Sequence, residues 1–115
     1  MRPTDEELPI IRAFYDFVVW INPKIAKFPR DHRFTLGERM ENQLYDILEN
    51  LLRAKYRRDR KALLEEVNLG LEIVRFQIRL AKDFRCLPLK SYGQAVSRIT
   101  DIGRQVGGWQ RSTTR

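Results

Sequence analysis

Apolar residues recur along this chain at alternating steps of three and four, and no segment sustains a period of two. On a helix of about 3.6 residues per turn that spacing gathers them on one side, and it marks out four segments. The first covers residues 6–26, with Ile11, Phe14, Val18, Ile21 and Ile25 on one face and Ile10, Phe17 and Trp20 on a second, partly overlapping one. Pro9 suits a first helical turn, where its missing N–H is not needed; Pro23 is expected to kink or end the helix. The second segment, residues 35–56, opens on Thr-Leu-Gly-Glu. This reads as a capping box in which the Thr35 hydroxyl and the Glu38 carboxylate satisfy each other's backbone N–H groups. Leu36, Met40, Leu44, Ile47, Leu48, Leu51 and Leu52 then form one wide apolar face, with Glu38, Asn42, Asp46, Glu49 and Arg53 opposite.

The third segment, residues 59–84, is patterned differently. Leu64, Val67, Leu71, Val74, Ile78 and Ala81 make an unbroken heptad-like seam, the pattern of bundle packing. Leu69, Ile73, Phe76 and Leu80 repeat that spacing along a second stripe, well over 90° away at about 100° per residue. Asn68, Glu72, Arg75, Arg79 and Lys82 fill a further sector, so this helix is apolar on two faces and basic on one. The fourth segment, residues 90–107, follows the break at Pro88 and carries Tyr92, Val96, Ile99, Gly103 and Val106 with Ile102 beside them. Gly107 and Gly108 read as its C-cap, leaving residues 109–115 as a tail that is polar apart from Trp109. Short loops between four amphipathic helices predict an all-α, up-down-up-down four-helix bundle, one domain spanning 1–115.

A bundle helix needs one buried face. Leaving Leu69, Ile73, Phe76 and Leu80 in water exposes a patch at the upper limit for a soluble monomer, whereas burying them stabilises by about 1.5–3 kcal/mol each. These four residues are therefore expected at a subunit interface, and the second face of helix one points the same way. Periodicity alone does not set the number of subunits.

Net charge changes the picture next. Residues 1–52 carry seven Lys/Arg against nine Asp/Glu, net −2, and residues 53–115 carry fifteen against six, net +9. Such asymmetry points to a polyanionic partner for the second half. Arg75 and Arg79, one turn apart, with Lys82 and Arg85 beyond, give the cation spacing that phosphate contacts require. The stretch Arg-Ala-Lys-Tyr-Arg-Arg-Asp-Arg-Lys, from Arg53 to Lys61, holds six cations in nine positions. Arg53, Arg57, Arg58, Arg60 and Lys61 crowd around Tyr56 there; the corner reads both as a solvated turn and as a phosphate-contacting cluster. Arg98 on helix four completes the candidate nucleic-acid and partner-binding set. Helix-turn-helix signatures, zinc fingers and RNA-recognition aromatics are all absent, so RNA or DNA binding is expected to be backbone-driven and weakly sequence-specific.

Chemistry is not indicated. The one histidine, His32, sits in the first interhelical region, which excludes the paired Glu-x-x-His sites of di-metal bundles, and no phosphate-cradling glycine motif occurs. Cys86 follows Arg85 but has no second cysteine and no adjacent histidine in sequence. No cofactor, no metal and no catalytic residue are expected, and the chain reads as a non-enzyme. No apolar run approaches the ~20 residues of a membrane span, so no membrane partner is expected. The opening residues lack a secretory pattern, and a single cysteine fits a reducing compartment; a cytoplasmic protein is expected.

Two blocks carry a family resemblance: Phe-Pro-Arg-Asp-His-Arg-Phe-Thr-Leu-Gly-Glu-Arg-Met-Glu-Asn, residues 28–42, and Ile-Gly-Arg-Gln-Val-Gly-Gly-Trp, residues 102–109. The chain resembles the accessory variability determinant proteins of diversity-generating retroelements, from about Leu8 to Trp109. These sit within a wider group of four-helix proteins encoded in intervening sequences of bacterial 23S ribosomal RNA genes, which share the fold without an established reverse-transcriptase partner. The resemblance implies a homopentameric barrel with a central channel and a basic surface. It also implies binding to the element's reverse transcriptase and to nucleic acid, in support of the error-prone copying of a template RNA whose cDNA diversifies a target gene. The basic surface of such proteins is diffuse, so the resemblance assigns no single binding residue.

Overall fold

A computed structural model describes residues 8–113. Four long helices dominate: α1 (Pro9–Ala26), α2 (Glu38–Tyr56), α3 (Lys61–Asp83) and α4 (Leu89–Thr113); a short helical turn, Arg30–His32, and a π-helical stretch, Arg33–Gly37, lead into α2. Consecutive helices pack side by side and α4 returns to α1, so α1 and α3 lie on a diagonal. The cross-contacts run antiparallel: Asn22 Nδ2 donates to Glu41 Oε2 at 3.2 Å between α1 and α2. Arg75 Nη1 donates to Thr100 Oγ1 at 3.1 Å, and Asn68 Nδ2 to Gln110 Oε1, between α3 and α4. No strand occurs among the described residues, and the arrangement fits a four-helix bundle.

The periodic positions explain the core, except that on α4 Ala95 is buried while Tyr92, Val96 and Gly103 of the expected seam are half-buried. Phe14, Phe17, Ile21 and Ile25 of α1, Met40, Leu44, Ile47 and Leu51 of α2, the whole α3 seam from Leu64 to Ala81, and Ala95, Ile99, Ile102 and Val106 of α4 are buried. Ile10 and Phe17, read from sequence as a second face of helix one, belong to this core, and only Trp20 of that set stays half-buried. Packing between α2 and α3 depends on Gly70. A Cβ there would lie 2.7 Å from Ile47 Cγ1 and 2.9 Å from Gln43 Nε2, so the close helix approach requires a missing side chain. Gly70→Ala is expected to destabilise by about 1–2 kcal/mol, overpacking outweighing the gain in helix propensity; a thermal melt against wild type checks it.

Two boundaries differ from the sequence pattern, at Thr35 and at Gly107–Gly108, and the end of helix one agrees with it. The expected start of helix one, at residue 6, lies outside the described residues; α1 runs through Pro23 and stops at Ala26, its last turn tightened by Lys27 N–H to Lys24 O at 3.2 Å. The capping box at Thr35 does not form. The helical path begins at Arg30, where the Pro29 carbonyl accepts from both His32 and Arg33 N–H, and Thr35 Oγ1 donates back to Asp31 O at 3.4 Å. Tertiary docking outweighs the local cap here: fully buried Phe28 anchors the entry, and buried Gly37 sits where a Cβ would be 3.2 Å from Ile25 Cγ2.

The second difference is at Gly107–Gly108, which do not end α4. Both are helical, and the helix continues to Thr113 because Trp109 packs on the core and Gln110 is bonded to Asn68. Each helical glycine costs about 0.5–1 kcal/mol relative to alanine, a cost that side-chain docking of the last turns offsets.

α3 ends in a Schellman turn, with Arg85 N–H to Lys82 O at 2.9 Å and Cys86 N–H to Ala81 O at 2.7 Å. Arg85 occupies the left-handed position of that turn at φ 63°, the one non-glycine residue of positive φ among those described. A Cβ in this conformation costs about 1–2 kcal/mol.

Candidate partner and nucleic-acid surface

α3 is flanked by α2 on one side and α4 on the other, with its seam toward the core. The remaining side is the second stripe, and it faces solvent: Leu69 is 55% exposed, Ile73 38%, Phe76 57% and Leu80 43%. No long loop or chain end among the described residues covers it. Beside the stripe, toward α4, runs the basic row. Arg75 is half-buried and tied down, donating to Thr100 and pairing with Glu72 at 3.4 Å. Arg79 is exposed, its guanidinium 6.0 Å from the Phe76 ring centroid. Lys82 pairs with Asp83 at 3.5 Å and lies 4.7 Å over the Tyr92 ring. Glu72, Arg75, Phe76 and Arg79 of α3 line a shallow groove with Tyr92 and Val96 of α4, and Lys82 reaches it through its contact with the Tyr92 ring.

The corner between α2 and α3 divides its cations by task. Arg53 is held by Asn50 Oδ1 at 3.1 Å and Glu49 Oε1 at 3.5 Å. Arg60 closes the turn, donating from Nε and Nη2 to Arg57 O at 2.9 and 2.7 Å, and stacks 5.4 Å from the Trp109 ring centroid. Arg57, Arg58 and Lys61 are exposed and form no side-chain hydrogen bond or ion pair among the described residues. Tyr56 is exposed with Lys55 over its ring at 5.1 Å. This corner sits at the end of the bundle that also holds Trp109.

Arg98 does not join either group. It lies on the α1 side of α4, 4.6 Å over the Trp20 ring, which Lys24 also approaches at 4.7 Å. It fastens α4 to α1, and the structure therefore separates it from the α3 row. Arg85 is exposed at the far end of α3, away from the Arg53–Lys61 corner.

The sequence pattern did not single out two further surfaces. Tyr15 and Val19 on α1, with Tyr45 and Leu52 on α2, are exposed apolar side chains on the first half of the chain; Leu52 had been read as part of the inward face. The lead-in to α2 presents Phe34 to solvent, and His32 stacks on Phe84. Phe34 and Phe84 lie outside the four long helices and carry no period, so only tertiary placement reveals that surface.

No group of three or more potential metal ligands occurs among the described residues. Cys86 is half-buried, burial pushes its thiol pKa up, and its Sγ lies 3.9 Å from Phe84 O. A raised pKa keeps the less nucleophilic thiol form. No described helix is long and apolar enough to cross a membrane.

These features define an all-helical four-helix protein with one helix apolar on two sides and its cations spread over several surfaces. A model of the bAvd-like family matches residues 9–113, and the chain belongs to that family. It is an Avd-like protein of diversity-generating retroelements, from a family of accessory, non-catalytic proteins. No curated protein matches the chain.

Proposed function

We propose that this chain works as a basic homo-oligomer, five copies to a ring, that binds the reverse transcriptase of its retroelement together with template RNA or cDNA and so supports mutagenic retrohoming. The observation that carries this reading is the solvent-facing α3 stripe of Leu69, Ile73, Phe76 and Leu80 running beside the Arg75–Arg79–Lys82 row. Burying the stripe between copies repeats the cationic row around the assembly, and repetition turns weak single contacts into useful affinity for a polyanion.

The apolar residues Tyr15, Val19, Tyr45 and Leu52 supply an unlike second face. A contact between two unlike faces is head-to-tail, and head-to-tail contacts form a ring where the rotation between copies closes and a filament where it does not. Charge favours the same pairing, since the first half of the chain is net −2 and the second net +9. Five subunits and the reverse-transcriptase partner come from the family rather than from these contacts.

Co-purification of the tagged chain with its element's reverse transcriptase, plus gel-shift titration with RNA and DNA across a salt series, tests the reading. Nucleic-acid affinity is expected to fall steeply with salt, by about 0.7–0.9 log units per log unit of salt for each phosphate contact. Flat titrations at low salt, with the transcriptase still retained, would leave a purely protein-docking module.

A further inference from the structure

The bundle end opposite the Arg53–Lys61 corner is where α1 stops, the lead-in to α2 turns, and α3 passes to α4. His32 and Phe84 stack there with centroids 4.7 Å apart and planes 14° from parallel. Phe34, two residues along from His32, is 65% exposed, and the Arg33 guanidinium lies over its ring at 5.8 Å. Arg33 is itself held by Nε donation to the backbone carbonyl of Phe28 at 3.3 Å.

Arg85 adds an independent observation. Its left-handed φ of 63° suits glycine, yet a long cation stands there, exposed, with no side-chain hydrogen bond or ion pair among the described residues. The left-handed turn closes α3 through its two Schellman bonds and leaves the Arg85 side chain exposed at the end of the bundle. Lys27, Arg30 and Lys90 are exposed on the segments that end here; of the local acids, Asp83 is paired with Lys82, and Asp31 is exposed.

The geometry points to this end as a stacking site for unpaired bases of a single-stranded nucleic acid, with Phe34 offering the ring face and Arg85 meeting a flanking phosphate. An exposed aromatic beside cations is the arrangement single-strand binders use, because every base has a π-face and a duplex does not release its own. This rests on the nucleic-acid binding proposed above and assigns it a surface distinct from the α3 row.

The test uses the full chain with three labelled probes: a single-stranded RNA, the same sequence as DNA, and a blunt duplex. Phe34→Ala is expected to weaken both single strands by about tenfold and to leave the duplex near its wild-type affinity. Arg85→Gly is expected to raise the melting temperature by relieving the left-handed strain, while weakening single-strand binding and lowering its salt slope by about 0.7 for each bound copy. Wild-type single-strand affinity in both variants, or equal losses on strand and duplex, overturns the stacking site alone. A wild-type chain that binds none of the three probes overturns the proposed function along with it.

Discussion

Leu69→Glu combined with Phe76→Glu is expected to convert the assembly into a folded monomer of 13.7 kDa. Both side chains are more than half exposed on the single chain, so the substitutions touch nothing in the core and are expected to change monomer stability by no more than about 0.5 kcal/mol each. At a buried interface the same two carboxylates lose their water without a partner, at a cost of at least about 2 kcal/mol apiece. Two per contact weaken association by roughly a thousandfold, at about 1.4 kcal/mol per decade. Sedimentation velocity at micromolar concentration reads the outcome, with circular dichroism confirming intact helices. A wild-type chain that already sediments as a monomer would remove the α3 stripe as a subunit contact.

Arg79→Ala with Lys82→Ala is expected to produce the second large effect, on nucleic-acid binding. Of the three cations in the row, Arg75 is bound to Thr100 and Glu72, so its loss would loosen the α3–α4 contact as well as remove charge. Arg79 and Lys82 are the cleaner pair: among the described residues one meets the Phe76 ring, the other a neighbouring carboxylate and the Tyr92 ring. Each lost phosphate contact lowers the salt slope by about 0.7–0.9, and in a ring the loss repeats in every subunit. Affinity is expected to fall uniformly across sequences, as phosphate contacts carry no sequence information. A gel-shift series at several salt concentrations with an unchanged slope would take this groove out of the binding surface and leave the corner and the far end.

Much of the helical architecture was legible from spacing. The α3 seam from Leu64 to Ala81 is buried as its alternating steps require, because a face that recurs every 3.6 residues has one direction in which to point. The second stripe was equally legible and is solvent-facing on the single chain. Boundaries were less so. Thr35 and Glu38 satisfy the local rule for a cap, yet Phe28 docking starts the helix at Arg30. Gly107 and Gly108 satisfy the local rule for a stop, yet Trp109 and Gln110 find partners that extend α4. A capping interaction contributes about 0.5–2 kcal/mol, which a buried aromatic matches or exceeds. The candidate cations were legible as a set, whereas their sorting was not. Arg98 over Trp20, Arg60 on the Arg57 carbonyl, and Arg57, Arg58 and Lys61 facing water are indistinguishable as letters.

By itself, then, the order of residues determined four amphipathic helices, a core along their seams, an extra apolar face on the third, and positive charge gathered in the second half. Each is a property of periodicity or composition and survives any arrangement of the helices. Tertiary structure alone decided which helices flank which, that Gly70 permits the close α2–α3 contact, which cations stay unpaired, and that Phe34, Phe84 and Arg85 gather at one end. Those outcomes depend on contacts between residues far apart in the chain, where packing energies of a few kcal/mol outweigh local preference.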